Sequence, residues 1–530
     1  MTHPAHQFIE QHIERVQALE RDVALAYWEA ALTGSEAAAK RRAELSARLT
    51  KIYANPEEFA RLSEWREDGT LDELTARQVE LLYRAYLGNQ KDEATIERMS
   101  NLEAEVEVAY STFRGVLDGE KKTNNELRKV LTDDNDSEKR KRAWEASKDV
   151  GPVVRDRVLE LVTLRNKVAR DAGYPDYYHL SLFLQELDVT ELFTLLDDLE
   201  QQTREPFRKA KNQLDAHLCK RFDVRCDELR PWHYADFFFQ DAPSNDEVDL
   251  YPFFRDKDLV ALATQTYDEI GLDVRDILSR SDLYPKDGKD QHAFCINTNR
   301  ADDVRVLCNL EPDESWMATL LHELGHGVYD ENLDADLPWT LREPAHTLLT
   351  EAIAMIMGRL TKDQHWLRTT AGVASEDIDR IMPHLRQYSS LAMLIFVRWC
   401  LVMTYFERDF YANPKQDLNT LWWDYVERFQ MLRRPEGRDM PDWASKLHIA
   451  LAPVYYHNYL LGEMVASQIH HYITKHVTPV GAQGSPKVGQ YLRDRLFRLG
   501  ARYPWNQTIE MVTDEPLTSR HFSEQFVTQA

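Results

Sequence analysis

The stretch Glu311-Pro312-Asp313-Glu314-Ser315 opens a run that continues Trp316-Met317-Ala318-Thr319-Leu320-Leu321 and ends His322-Glu323-Leu324-Gly325-His326. Acidic residues in the first turn and apolar residues at Trp316, Leu320 and Leu324 predict an amphipathic helix. Two histidines four apart project from one face of such a helix, so both imidazoles can reach one cation. Glu323, between them, can then address a water held there, which is the HExxH arrangement. With 18 histidines in the chain the pattern can also arise by chance, so it needs support from a third donor.

That donor is offered by Thr347-Leu348-Leu349-Thr350-Glu351-Ala352-Ile353-Ala354-Met355-Ile356-Met357, which predicts a buried helix carrying one charge, Glu351, twenty-five residues after His326. An unpaired carboxylate in such surroundings is strongly unfavourable and needs a compensating partner. A zinc ion shared with the two histidines would supply it; a salt bridge to Arg359 or Arg342 is the alternative. Three nitrogen and oxygen ligands with a fourth position open define a catalytic rather than a structural zinc site. Upstream, Gln291–Asn297 and Asp303–Leu310 are short β-prone runs separated by Thr298-Asn299-Arg300-Ala301-Asp302, which predicts a small hairpin just before the motif.

The rest of the chain reads as helix. Glycine is scarce, 19 in 530 residues, where strands joined by tight turns would want more. From Phe8 to Leu87 apolar residues recur at three and four residue spacing, as in Ile9, Ile13, Val16, Leu19, Val23, Leu25 and Trp28. The stretch from Ser137 to Ala172 repeats the pattern and is stopped by Gly173-Tyr174-Pro175, and the Pro/Gly-rich segment from Thr478 to Pro486 predicts a surface loop. Apolar residues make up 43% and charged residues 29%, which is globular, and apolar runs break well short of a membrane span. A surplus of 89 acidic over 65 basic residues, net charge −24, argues against nucleic acid or anionic lipid as partner. The basic run Lys139-Arg140-Lys141-Arg142 is expected to be a solvated helix face. Five scattered cysteines, Cys219, Cys226, Cys295, Cys308 and Cys400, and no signal-like N-terminus fit a reducing cytoplasm, with the thiols serving as packing.

Further downstream, His448 and the cluster Tyr455, Tyr456 and Tyr459 supply donors suited to stabilising the oxyanion of amide hydrolysis, although a tyrosine cluster also packs cores. His292, on the expected edge strand, could donate to a carbonyl or be an ordinary satisfied polar group. Lys446 could bind a carboxylate or lie in solvent.

Taken together the residues resemble the angiotensin-converting enzyme family of zinc peptidyl-dipeptidases. His322-Glu323-Leu324-Gly325-His326, Asp336-Leu337-Pro338-Trp339-Thr340-Leu341-Arg342-Glu343 and Glu351-Ala352-Ile353 follow the family's HEMGH, DLPxxLREG and HEAI elements in order. Arg142-Ala143-Trp144-Glu145-Ala146, Lys446-Leu447-His448-Ile449 and the segment from Ser485 to Trp505 extend the likeness, and the first hundred residues loosely resemble its charged lid helices. The resemblance implies a mainly α, two-lobed helical ellipsoid with a deep central cleft and a small β-hairpin near the zinc site. It implies one peptidase domain over residues 1–530, with lid helices over 1–100, the hairpin and zinc-binding helices over 290–360, and the substrate and oxyanion segment over 440–470.

Position by position, it implies one Zn2+ per chain held by His322, His326 and Glu351, with Glu323 as general base and later acid. His292 and Ala293 would contact the substrate backbone in a β-augmentation mode. Lys446 and Tyr456, or Tyr455 if the gap before Pro453 falls differently, would hold the substrate's C-terminal carboxylate. His448 would contact the backbone, and Tyr459 the oxyanion. Chloride dependence is not expected, because the family's chloride-binding arginine is Asn458 here. Met355 replaces an aspartate that orients a ligand histidine, and Gln291 occupies a cysteine position. One extra residue between His326 and Asp336 makes the spacing closer to the related oligopeptidases. The expected activity is release of C-terminal dipeptides from short peptides, with no nucleic acid or membrane partner. Internal cleavage of short peptides is the nearest alternative, and a zinc-stabilised, non-catalytic peptide-binding scaffold a more distant one.

Overall fold

A computed structural model describes residues 3–243 and 248–527. Helices dominate, and the described strands form two antiparallel hairpins. The first helix, Pro4–Thr33, shows how the sequence sets its own limits: the His3 side chain accepts the Ala5 N–H, proline occupies the first turn, and Gly34 ends it at φ 62°. Its buried stripe of Ile9, Val16, Leu19 and Trp28 is the three-and-four periodicity read from the sequence, with His12 buried among them.

Contacts divide the chain into two compact units. One comprises Met1–Gln90, Asp249–Met382 and Leu461–His521; the other comprises Lys91–Val248, Pro383–Leu460 and Phe522–Ala530. In the first unit, Phe294–Asn297 pairs with Val304–Leu307, Phe294 opposite Leu307 and Asn297 opposite Val304, as the two β-prone runs predicted. The second strand is the buried one, and the hairpin packs on the helix Glu314–Glu331 that carries the HExxH motif. The expected strand position of His292 needs correction: the strand begins at Phe294, and His292 is an exposed residue before it, its N–H bonded to Asp290 Oδ1 at 3.0 Å.

In the second unit the region from Ser137 to Ala172 is helical, as two helices, Ser137–Lys148 and Val150–Asp171. The basic run is not a solvated face throughout. Arg140 has no exposed surface and donates to the carbonyls of Trp232 at 2.8 Å and His233 at 3.1 Å, with its guanidinium over the Phe222 ring. The carbonyls and the ring stabilise a charge that composition alone assigned to water. The cysteines, expected to be free thiols, also divide. Cys219, in the last turn of Val189–Phe222, is disulfide-bonded to Cys226 just beyond that helix, while Cys295, Cys308 and Cys400 are free. The chain reverses between positions 219 and 226 and leaves their Cα atoms 5.4 Å apart, within disulfide reach. One helix, Ser375–Ala412, is long and apolar enough to cross a membrane by length and composition, but 72% of its most apolar window is buried inside the protein, as in a core helix.

Candidate functional site

The helix Glu314–Glu331 starts where Asp313 accepts the Trp316 N–H at 2.7 Å, and it buries Leu320, Leu321, Leu324 and Val328. That register leaves His322 and His326 side by side one turn apart, ring centroids 4.9 Å apart. The next helix, Thr347–Gly358, packs directly along it. Gly325 sets how closely: a Cβ there would lie 2.8 Å from Ala354 Cα, so only glycine admits the neighbouring backbone. The close approach brings Glu351 Oε2 to 3.7 Å from His322 Nε2 and 4.0 Å from His326 Nε2. The three residues form a group whose ligand atoms lie within 4.8 Å of one another.

The salt-bridge alternative for Glu351 is not what the structure contains. Arg359 pairs with Glu463, and Arg342 Nε donates to the Leu337 carbonyl at 2.8 Å. Burial pushes the Glu351 carboxyl up to about 6 and holds the His322 and His326 imidazoles down to about 4 and about 3. Near neutral pH the histidines are therefore uncharged, with Nε2 available as a ligand, and the carboxylate has no cationic side chain beside it. Each ring is also held from behind: His326 Nδ1 is 2.7 Å from Thr350 Oγ1, and His322 is hydrogen-bonded to the Ala354 backbone. Such outer partners fix which nitrogen faces the ligand position. Two neutral imidazoles, one carboxylate and a supported orientation for both rings fit a divalent cation.

Glu323 is 8% exposed and accepts a hydrogen bond from the Cys295 N–H of the hairpin. Burial, with the Glu351 carboxylate adding to it, raises its carboxyl to about 8. A group with that affinity can both take and return a proton near neutral pH. The hairpin thus serves to hold the central glutamate of the motif.

The downstream candidates belong to the second unit. His448 lies on the short helix Leu447–Leu451, and Tyr456 and Tyr459 lie on the first turn of Tyr456–Tyr472. The structure brings Lys446, His448, Tyr456 and Tyr459 together. The Lys446 ammonium is 5.5 Å from the Tyr456 ring centroid, His448 and Tyr456 are 4.9 Å apart, and Tyr456 and Tyr459 are 5.4 Å apart. Tyr455 contacts Tyr459 at 5.1 Å. Lys446 Nζ donates to Gln240 Oε1 at 2.8 Å, and burial lowers its ammonium to about 8 and the His448 imidazole to about 4. Lys446, His448 and Gln240 border a cavity of about 460 Å³ that also reaches Tyr110, Arg128 and Lys148. Asn458 is buried and donates to Gln185 Oε1 at 2.7 Å. His292 and Ala293 lie in the first unit, the former exposed and the latter half-buried.

Sequence reasoning missed Thr350, Ala354, Cys295 and Gln240. Thr350 adjoins Glu351, where an in-sequence signal existed. Ala354 and Cys295 act through backbone atoms that no residue-type pattern reveals, and Gln240 stands over two hundred residues from the lysine it meets.

The sequence model described as Peptidase family M3 matches residues 130–528, well over half of the chain and all of the motif segment. A second model, described as Angiotensin-converting enzyme, matches residues 1–219. Among curated proteins, an inactive angiotensin-converting enzyme-related protein of Caenorhabditis elegans is 22% identical over 245 residues, 44% of this chain. The match spans 26% of that protein, so the chain covers about a quarter of its relative's length. With the motif helix, its neighbouring glutamate and the outer supports inside the matched span, the chain belongs to peptidase family M3.

Proposed function

We propose that this protein is a zinc-dependent peptidyl-dipeptidase that removes C-terminal dipeptides from short peptides. His322, His326 and Glu351 would hold the ion, which when bound supplies Lewis acidity at the scissile carbonyl. Glu323 takes a proton from the attacking water on its carboxylate and returns it to the leaving amine nitrogen. Tyr459 donates its hydroxyl to the oxyanion, and His448, His292 and the Ala293 backbone orient the peptide. Lys446, joined by Gln240 and Tyr456, binds the terminal carboxylate.

The observation that supports release of a terminal fragment, over cleavage at large, is the Lys446 ammonium bordering the cavity with the uncharged Gln240 as its hydrogen-bond partner. A half-buried cation so placed pairs well with an incoming carboxylate. A second reading, a zinc oligoendopeptidase cutting short peptides internally, is favoured by the extent of the Peptidase family M3 match. The inactive relative raises a third, a peptide-binding scaffold, against which the intact Glu323 counts.

One decapeptide, supplied as free acid and as C-terminal amide with and without a chelator, separates the readings by mass spectrometry of the products. Successive dipeptide loss from the acid alone, abolished by chelator, is the expected result. The same internal cuts in acid and amide would transfer the protein to the oligoendopeptidase reading, and no cleavage of either would favour the scaffold.

A further inference from the structure

The cavity of the second unit contains a cation that neither the fold nor the proposed chemistry has used. Lys148 ends the helix Ser137–Lys148, is 2% exposed, and lines the same cavity as Lys446 and His448. Its ammonium lies 3.2 Å from the centroid of the Phe238 ring and 5.3 Å from that of Trp144, and it donates no hydrogen bond to any described residue. Ring faces stabilise a cation only in part, and an ammonium taken out of water without an acceptor is strongly disfavoured. Burial lowers it to about 7.

The carboxylates whose charge reaches Lys148 are committed elsewhere. Asp442 accepts Arg438 Nε at 2.7 Å and Nη2 at 2.6 Å, and Trp423 Nε1 at 3.1 Å. Asp236 accepts the N–H groups of Phe238 at 2.8 Å and Gln240 at 3.2 Å. The Lys446 ammonium stands 5.3 Å from the centroid of the same Phe238 ring. Two residues that line one cavity therefore hold their ammonium groups close to one aromatic ring, and among the described residues neither has an anionic hydrogen-bond partner. A peptide ending in aspartate or glutamate carries two carboxylates a few bonds apart on its last residue, which is the matching pattern. A volume of about 460 Å³ is within the range that holds a small ligand.

We propose that Lys148 is a specificity residue that binds the side-chain carboxylate of an acidic C-terminal residue, so that peptides ending in Asp or Glu are the preferred substrates. The inference deepens the reading of Lys446 as the anchor for the terminal carboxylate and rests on it.

Calorimetric binding of Ala-Glu, Ala-Gln and the α-amide of Ala-Glu to the wild-type chain and to Lys148→Met and Lys148→Arg tests it. The wild type should bind Ala-Glu roughly tenfold more tightly than Ala-Gln. That ratio should fall to about one in Lys148→Met and survive in part in Lys148→Arg. A wild-type ratio of one, or a ratio that Lys148→Met leaves unchanged, overturns the inference. Failure of the underlying anchor reads differently: Ala-Glu and its α-amide would bind equally well, whatever the Glu-to-Gln ratio. Lys148→Gln carries the same test should the methionine variant not fold.

Discussion

Thr350 precedes the third donor of the candidate metal group and makes the only side-chain hydrogen bond described for His326, 2.7 Å from Nδ1 to Oγ1. With Nδ1 so engaged, Nε2 faces Glu351, and the imidazole needs no rearrangement to act as a ligand. Thr350→Val should therefore weaken zinc affinity about tenfold, while Thr350→Ser keeps it, as measured by competition with a chromophoric chelator. Equal affinity in valine and wild type would show that the Oγ1 contact does not position the ring. Glu323 makes a different prediction, because it belongs to no metal-ligand set in the structure. Glu323→Gln should retain zinc at wild-type stoichiometry and lose on the order of a thousandfold in kcat against a short peptide. Loss of metal together with activity would assign Glu323 a structural rather than a proton-transfer role. The sequence announced the two histidines because the α-helical period alone puts them on one face, and Glu323 because the motif sets it between them. It was silent on Thr350's role, since a threonine in an apolar run has many uses and only the packed neighbour selects one.

The two helices Glu314–Glu331 and Thr347–Gly358 owe their site to a single missing methyl. Gly325 lies where a Cβ would sit 2.8 Å from Ala354 Cα, a backbone atom that cannot rotate away, whereas Gly327 would meet Ile277 Cδ1 at 3.0 Å, the far end of a movable side chain. Gly325→Ala should thus cost about 1–3 kcal/mol in urea denaturation and also weaken zinc binding, because the helix bearing Glu351 must withdraw. Gly327→Ala should cost less and leave zinc affinity near wild type. The reverse ranking would mean that helix spacing does not control the donor group. The hairpin adds its own contribution through the Cys295 N–H on Glu323. Both helices and the hairpin were legible from periodicity, capping residues and β-prone runs, which are local properties. The spacing between helices was not, because it depends on which residue of one element meets which of another.

Across the chain, an acidic surplus coexists with carboxylates placed away from water, and these make stability depend on pH. Glu407, on the long helix Ser375–Ala412, is 1% exposed and accepts the Val454 N–H at 2.8 Å, where Val454 adopts a φ of 55° rare for a β-branched residue. Burial raises its carboxyl to about 8. Between its unfolded value near 4.5 and the folded one, the unfolded chain releases a proton that the folded chain keeps, so stability falls as pH rises from 4.5 through 8. Glu407→Gln should flatten that slope and gain on the order of 2 kcal/mol relative to wild type on going from pH 5 to pH 8, read by urea denaturation at both. Parallel slopes in the two proteins would exclude Glu407 as the titrating group.

The mainly α class, the hairpin before the motif, and the nearness of His322, His326 and Glu323 were determined by the sequence itself, because helix period, capping and β-propensity act over a few residues. The helical pattern also placed Glu351 on a buried element, but either a cation or an arginine would have satisfied it there. Only the tertiary structure removed the arginine reading, by engaging Arg359 with Glu463 and Arg342 with a carbonyl while Gly325 let the two helices close. Likewise Arg140 went inside and Cys219 met Cys226, and Gln240 met Lys446. Burial, pairing and desolvation are properties of neighbours in space, and a linear pattern does not encode which distant residues those neighbours are.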